Sequence, residues 1–137
     1  MVDILHRVGV KSPTPDKVYE ALTTVEGLAG WWADDTKGVG DVGGFDMEVL
    51  ELDPAGTVRW RVTDGPDEWI GTEVAFALDQ RDEYTIVLFQ HEGWAERNEF
   101  MHHCSTKWAT FLMSLKQLVE TGSGQPAPHD VQVSNWH

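Results

Sequence analysis

Residues 96–120, ERNEFMHHCSTKWATFLMSLKQLVE, contain the pattern on which the fold prediction rests. The apolar residues of this stretch recur at steps of three and four, which places them on one stripe of an amphipathic helix. The members of this stripe are Met101, Cys104, Trp108, Phe111, Leu112, Leu115, Leu118 and Val119. Gly122 and Gly124, followed by Pro126 and Pro128, predict the end of the helix. The sequence therefore predicts one long helix that begins near residue 96 and ends near residue 120.

Upstream of this helix the hydrophobic period falls to two, which is typical of β-strands. The segments with this alternation are residues 4–10, 45–52, 57–63 and 69–78. Residues 84–91 are instead apolar on both faces, which predicts a central strand. After the first strand, Pro15 and the Thr23/Glu26 pair predict the starts of two short helices. In the strand from Trp69 to Leu78, Ile70 is expected on the same face as Val74, and Trp69 on the opposite face. The glycine-rich stretch 37–44 is expected to form a flexible loop.

This order of elements predicts an α+β architecture with a single domain over residues 1–122 and a short C-terminal tail over residues 123–137. One long helix cannot bury its apolar stripe alone, and an antiparallel sheet curved around it would cover the stripe. We therefore expect a helix-grip fold, in which a curved antiparallel sheet wraps around the long C-terminal helix and two short helices lie near the N-terminus. Such a grip leaves an internal cavity between the helix and the sheet, where a small ligand can bind.

The composition excludes several classes of partner. The chain of 137 residues carries 23 acidic and 10 basic side chains, a formal net charge of −13. Nucleic-acid binding requires a basic surface, and an acidic surface is repelled by anionic lipids, so we expect neither partner. Cys104 is the single cysteine, and the chain starts without the pattern of a signal peptide. The expected location is the cytoplasm.

Several short motifs, in this order, resemble the SRPBCC superfamily, also called START-like. Their local details resemble its branch that is similar to the activator of heat-shock protein 90 ATPase. The motifs are Trp31-Trp32, Val42-Gly43-Gly44-Phe45, His91-Glu92-Gly93-Trp94, Trp108 on the long helix, and the Gly122-to-Pro126 ending. The resemblance implies the same helix-grip fold with a cavity. It leaves three functions open, because members include ligand binders, cyclase-like enzymes and cochaperone domains.

The leading hypothesis is that the cavity binds a small hydrophobic or amphipathic molecule. Seven tryptophans in so short a chain favour an aromatic lining, since tryptophan combines a large apolar surface with one hydrogen-bond donor. Further candidates come from the inward face of the last strand and from the helix stripe. The expected ligand-binding residues are Trp31, Trp32, Trp60, Val87, Phe89, His91, Trp94, Met101, Trp108 and Leu112.

An alternative is a cyclase- or hydratase-like enzyme with His91 or Glu73 as its general acid or base. Inside an apolar cavity, a carboxylate or imidazole has a shifted pKa that suits proton transfer. Glu73 fits an outward, solvated position better, because Val74 and Phe76 form the more apolar face of its strand. No catalytic residue is assigned on this basis. A third hypothesis is a module that binds a chaperone or another protein.

No metal or cofactor is expected. His102 and His103 are adjacent and diverge on a helix, so they cannot share one zinc ion. The Gly38-x-Gly40-x-x-Gly43 pattern precedes a strand rather than a helix, which is the wrong context for dinucleotide binding. A homodimer is also possible through an exposed edge strand.

Overall fold

The computed structural model describes residues 1–137 and shows seven antiparallel strands that curve around one long helix. The strands are β1 (Val2–Lys11), β2 (Thr36–Gly38), β3 (Asp41–Val42), β4 (Phe45–Asp53), β5 (Thr57–Asp64), β6 (Glu73–Arg81) and β7 (Tyr84–Trp94). The helices are α1 (Asp16–Thr23), α2 (Val25–Trp31) and α3 (Glu99–Thr121). The strand order in the sheet is β1-β7-β6-β5-β4-β3-β2. The predicted α+β helix-grip fold is confirmed.

Helix α3 starts slightly later than its hydrophobic period indicates. The side chain of Asn98 accepts a hydrogen bond from the backbone N–H of Met101 at 2.8 Å and so caps the first turn. At the other end, Gly122 has a φ of 88° and its N–H donates to the Leu118 carbonyl. Glycine adopts this left-handed conformation without steric cost, which explains why the helix ends there. None of the helices has the length and apolar character needed to cross a bilayer.

The two short helices are locked together by a tryptophan. The N-cap of α2 is Thr24, whose hydroxyl accepts from the Gly27 N–H at 3.0 Å, so the predicted cap at Thr23 is displaced by one residue. Trp31, at the end of α2, donates its indole N–H to the Ala21 carbonyl of α1 at 2.8 Å. This bond places the Trp31-Trp32 pair against the sheet.

Strand β6 begins four residues later than predicted because a turn precedes it. The Trp69 N–H donates to the Pro66 carbonyl and the Thr72 N–H donates to the Trp69 carbonyl, both at 2.9 Å. The predicted facing of the neighbouring residues is therefore wrong: Trp69 is 6% exposed, whereas Ile70 is 49% exposed. The glycine-rich stretch also differs from its expectation, because β2 and β3 form a small hairpin within it.

The residues after α3, which we call the C-terminal segment (residues 123–137), fold back along the domain. The Ala127 N–H donates to the Trp32 carbonyl at 2.8 Å, and the Asp34 N–H donates to the Ala127 carbonyl at 3.0 Å. Gly124 lies so close to the Gly30 carbonyl and Ser114 that an added Cβ would clash with both. The segment is therefore docked on the domain rather than extended into solvent.

Candidate functional site

A pocket of about 420 Å³ lies between α3, the turn before β6, the end of α2 and the C-terminal segment. One side of it is apolar and the other carries polar and charged groups. The apolar lining includes Trp32, Ala33, Phe45, Pro66, Trp69, Phe100, Trp108, Phe111 and Trp136. The polar lining includes His103, Lys107, Asp130 and His137. The pocket is thus amphipathic and has the size of a small-molecule site.

Four aromatic rings in contact with one another form what we call the aromatic wall: Trp32, Phe45, Trp69 and Trp108. Successive rings stack almost in parallel, with centroid distances of 5.8 Å for Trp32–Phe45, 4.6 Å for Phe45–Trp69 and 5.7 Å for Trp69–Trp108. Trp108 and Trp32 close the circuit at 5.1 Å in a tilted contact. The wall therefore offers flat apolar surface, which favours flat apolar groups on a ligand.

A buried histidine, His91, supports the aromatic wall through hydrogen bonds. Trp108 donates its indole N–H to His91 Nδ1 at 3.1 Å, so the neutral imidazole carries its proton on Nε2. His91 Nε2 donates in turn to Thr72 Oγ1 at 2.8 Å, and the Thr72 hydroxyl donates to the Trp69 carbonyl at 2.5 Å. The donor and acceptor of each of these three hydrogen bonds are fixed, because the Trp108 indole N–H can only donate. The chain of bonds links two of the three tryptophans of the wall, Trp108 on α3 and Trp69 in the turn before β6.

The environment of His91 keeps its ring neutral. The side chain is fully buried, and burial lowers the pKa of His91 to about 3. The imidazole therefore stays uncharged near neutral pH, and both of its nitrogens are occupied by the hydrogen bonds to Trp108 and Thr72. In this arrangement His91 positions other residues and has no free nitrogen for proton transfer.

The second acid–base candidate lies on the other face of the sheet. Glu73 accepts hydrogen bonds from Arg59 at 3.0 Å and from Arg61 at 3.4 Å. The Arg59 guanidinium holds the pKa of the Glu73 carboxyl below its usual range. Glu73 and His91 therefore do not converge on one site.

Two of the ten predicted ligand-binding residues, Trp32 and Trp108, line the pocket. The other eight lie in the packed core beside it: Trp31, Trp60, Val87, Phe89, His91, Trp94, Met101 and Leu112. Phe89 points inward, and its ring centroid is 4.6 Å from that of Trp108. Such large side chains fill the space between sheet and helix, so the pocket lies towards the rim of the grip rather than at its centre.

Sequence reasoning missed several lining residues. Phe45 and Trp69 were not among the candidates, because alternation in β4 and the apparent start of β6 gave no sign of their convergence. The contribution of the C-terminal segment, above all Asp130 and Trp136, was also missed. The available signal was a tryptophan in an otherwise polar tail, which is unusual unless the residue packs against something.

The polar side of the pocket is built around Lys107. Its ammonium pairs with the Asp130 carboxylate, and both side chains are largely buried. His103 Nδ1 lies 2.7 Å from Ser134 Oγ, and burial together with Lys107 lowers the pKa of His103. Cys104 also lines the pocket, but burial raises its thiol pKa to about 11, which makes it a poor nucleophile. No three His, Cys, Asp or Glu side chains are grouped to hold a metal ion.

Comparison with known proteins gives a consistent family assignment. Residues 12–120 match the family described as "Activator of Hsp90 ATPase homolog 1-like protein". The solution structure of the Aha1 dimer from Colwellia psychrerythraea is 44% identical, with a TM-score of 0.81, over 90% of this chain and 100% of that one. No curated protein matches the chain.

More distant solved structures share the fold. A Mesorhizobium loti protein is 20% identical with a TM-score of 0.69, over 87% of this chain and 97% of that one. CalU16 from Micromonospora echinospora is 17% identical with a TM-score of 0.74, over 96% of this chain and 76% of that one. At these identities the likeness extends to the fold alone.

Proposed function

This chain belongs to the activator of Hsp90 ATPase homolog 1-like family, and we propose that it binds a small hydrophobic or amphipathic molecule in the pocket beside the aromatic wall. The observation that carries the proposal is the pocket itself. It has about 420 Å³ of space, four contacting aromatic rings on one side and an ion pair on the other. A ligand with an apolar body and a polar end matches both sides.

Apolar burial would supply the affinity. A ligand that removes about 200 Å² of apolar surface from water gains about 5 kcal/mol, at about 25 cal/mol per Å². Part of this gain is offset by the lost freedom of the bound molecule. The hydrogen bonds from Trp108 through His91 to Trp69 fix the wall before the ligand arrives, so less ordering is needed on binding. Since about 5 kcal/mol corresponds to a Kd of about 0.2 mM, we expect a small aromatic molecule to bind with a Kd in the range of about 0.2 to 1 mM.

Titration with N-phenyl-1-naphthylamine, an uncharged aromatic fluorophore, tests the proposal. Its emission should rise on binding to the wild-type protein, and Trp69→Leu should weaken binding about tenfold because one ring of the wall is lost. Ile70→Ala is the matched control, since Ile70 is the exposed neighbour of Trp69 and does not line the pocket. Equal binding by the wild-type and Trp69→Leu proteins, or no binding by the wild type, would refute the proposal.

The enzymatic alternative has no support from its two candidates, because Glu73 pairs with arginines on the outer face and His91 is buried and hydrogen-bonded. Acid–base chemistry of the cyclase or hydratase kind needs convergent groups at the substrate. The family does supply a second candidate function, stimulation of an Hsp90 ATPase. ATP turnover by purified bacterial Hsp90 should rise when the chain is added, and an unchanged rate would exclude this function. For both functions we propose the cytoplasm as the location.

A homodimer is a further part of the proposal, since the Colwellia psychrerythraea relative is described as a dimer. The free edge of β1 is partly covered in this chain. The Lys11 N–H donates to the Glu120 carboxylate at 2.7 Å, and Lys116 donates to the Gly9 carbonyl at 2.6 Å. We therefore expect any dimer contact to avoid that end of β1. Sedimentation velocity should give the mass of two chains, and a single-chain mass at all concentrations would exclude the dimer.

A further inference from the structure

Lys107 is a cation whose hydrogen-bond partners all come from one short stretch of chain. Its ammonium donates to the Asp130 carboxylate, to the Val131 carbonyl at 3.0 Å and to the His137 backbone oxygen at 2.8 Å. An ammonium has three donors, so these contacts use all of them. Lys107 is also the one lysine or arginine in the pocket lining.

The stretch that supplies these acceptors, residues 130–137, has few other attachments to the domain. The Ser134 hydroxyl lies 2.7 Å from His103 Nδ1, and the Trp136 ring packs against His103 and Phe100. The stretch forms no helix or strand, and its backbone hydrogen bonds run within it, from Val133 to His137 and from His137 to Ser134. Val131 and Trp136 are about half exposed. Such a stretch opens at low free-energy cost, because few buried contacts hold it. The carboxylate of Asp130 is therefore a partner that Lys107 can exchange.

Building on the proposed function, we propose that the natural ligand is a small aromatic carboxylic acid whose carboxylate replaces that of Asp130 on Lys107. Its ring system lies against the aromatic wall. The Lys107 ammonium keeps a charge-assisted hydrogen bond throughout, so no buried cation is left without a partner. Asp130 moves into water, where its carboxylate is fully hydrated. In the free protein, Asp130 thus occupies the position of the ligand's acid group.

The net charge of the chain does not oppose an anionic ligand strongly. At physiological ionic strength, charges more than about 8 Å apart are largely screened. The ligand's carboxylate is therefore affected chiefly by the groups that line the pocket. Among these, Lys107 attracts it, and Asp130 competes with it for the same ammonium.

The competition makes the proposal testable with a matched pair of compounds, 9-anthracenecarboxylate and 9-anthracenecarboxamide. They share one ring system and differ in charge. Binding is followed by quenching of tryptophan fluorescence at pH 7 and 0.15 M salt. Asp130→Asn removes the competing charge, and the exposed Glu51→Gln removes one acidic charge on β4, away from the pocket lining. Lys107→Met removes the cation, with Lys17→Met on α1 as its control.

We expect Asp130→Asn to bind the acid about tenfold more tightly than the wild type does, with the amide unchanged, since a charge-assisted contact is gained without displacing another. Lys107→Met should abolish any preference for the acid, and both controls should behave as the wild type. If Asp130→Asn weakens both compounds equally, the ion pair is only an anchor and the inference is wrong. If acid and amide bind every variant alike, the inference fails while the proposed function stands. If neither compound binds the wild type, both fail together.

Discussion

The core beneath the aromatic wall and the C-terminal segment hold their tryptophans in opposite ways. Trp60 in the core is fully buried and packs against Trp32 and Phe76, with centroid distances of 5.9 and 5.2 Å. Trp136 in the segment is 44% exposed and reaches His103 and Phe100 at 5.5 and 6.3 Å. The core is held by close packing of buried apolar side chains, whereas the segment is held mainly by hydrogen bonds, among them those of Lys107, Ser114 and His103. The pocket lies where the two meet, so it has one rigid side and one yielding side.

Truncation of Trp60 should cause the largest loss of stability. Trp60→Ala leaves a large cavity between sheet and helix, and we expect the free energy of unfolding to fall by about 3–5 kcal/mol in urea denaturation. The exposed Leu52→Ala is the control and should change it by less than about 0.5 kcal/mol. A loss below about 1 kcal/mol for Trp60→Ala would show that the core is looser than its packing indicates.

Replacement of the buried His91 should cause the second-largest loss of stability. His91→Leu leaves the Trp108 indole N–H without an acceptor and removes the donor to Thr72 Oγ1, which should cost about 2–3 kcal/mol. Urea denaturation measures this, with the exposed His102→Leu as the control. A cost no greater than that of the control would show that the hydrogen-bond chain contributes nothing.

The same variant should change how stability depends on pH. Since the pKa of His91 is lowered to about 3 in the folded protein, the unfolded chain binds a proton more readily between about pH 6.5 and 3. The stabilising contribution of the neutral ring is complete above this window and is lost as the pH falls through it. The wild type should therefore lose up to about 1.4 kcal/mol more per pH unit than His91→Leu does, in denaturation at pH 6, 5 and 4. Parallel pH dependences would contradict the low pKa.

A smaller effect is expected where the segment first meets the domain. Gly124→Val places a side chain against the Gly30 carbonyl and Ser114, so the segment should swing away at a cost of about 1–2 kcal/mol. Limited proteolysis should then cut after α3 much faster than in the wild type. Gly38→Ala, where an added Cβ meets only ordinary contacts, is the control. Wild-type protease resistance in Gly124→Val would mean that the close approach is not required for docking.

The smallest loss of stability is expected for a substitution of the half-exposed Trp136. Trp136→Ala should lower the free energy of unfolding by less than about 1 kcal/mol, because the ring is half in water already. Its effect should instead be on the pocket, where N-phenyl-1-naphthylamine should dissociate faster in stopped-flow measurements. A stability loss above about 2 kcal/mol would erase the distinction between the two regions and make the segment a part of the core.

The sequence predicted the regular part of the molecule well. A period of two identified β1, β4 and β5, an apolar run on both faces identified β7 as a central strand, and steps of three and four identified α3. The facing of Trp69 was predicted wrongly because a turn interrupts the alternation. Extending the alternation of β6 back to Trp69 assigned it to the wrong face. Large inward residues were expected to line a central cavity, but most of them fill it.

The segment was harder to predict for a different reason. Its docking depends on contacts distant in sequence, such as Lys107 with Asp130 and Gln125 with Ser114. A polar stretch without period carries no local sign of such partners. The candidate site is therefore half predictable: its rigid side comes from periodic elements, and its yielding side comes from tertiary contacts alone.

Because of its hydrogen bond to His91, the indole N–H of Trp108 also allows opening of the core to be followed by hydrogen exchange. The indole proton of Trp108 is buried and bonded, so it can exchange for deuterium only when the core opens. The indole proton of Trp136, on a half-exposed ring, exchanges whenever the segment moves. Exchange at these two indole N–H groups, followed in one proton–nitrogen NMR spectrum, thus reports on two separate events: opening of the core at Trp108 and movement of the segment at Trp136. A ligand that fills the pocket should slow exchange at Trp136, whereas exchange at Trp108 should still require global unfolding.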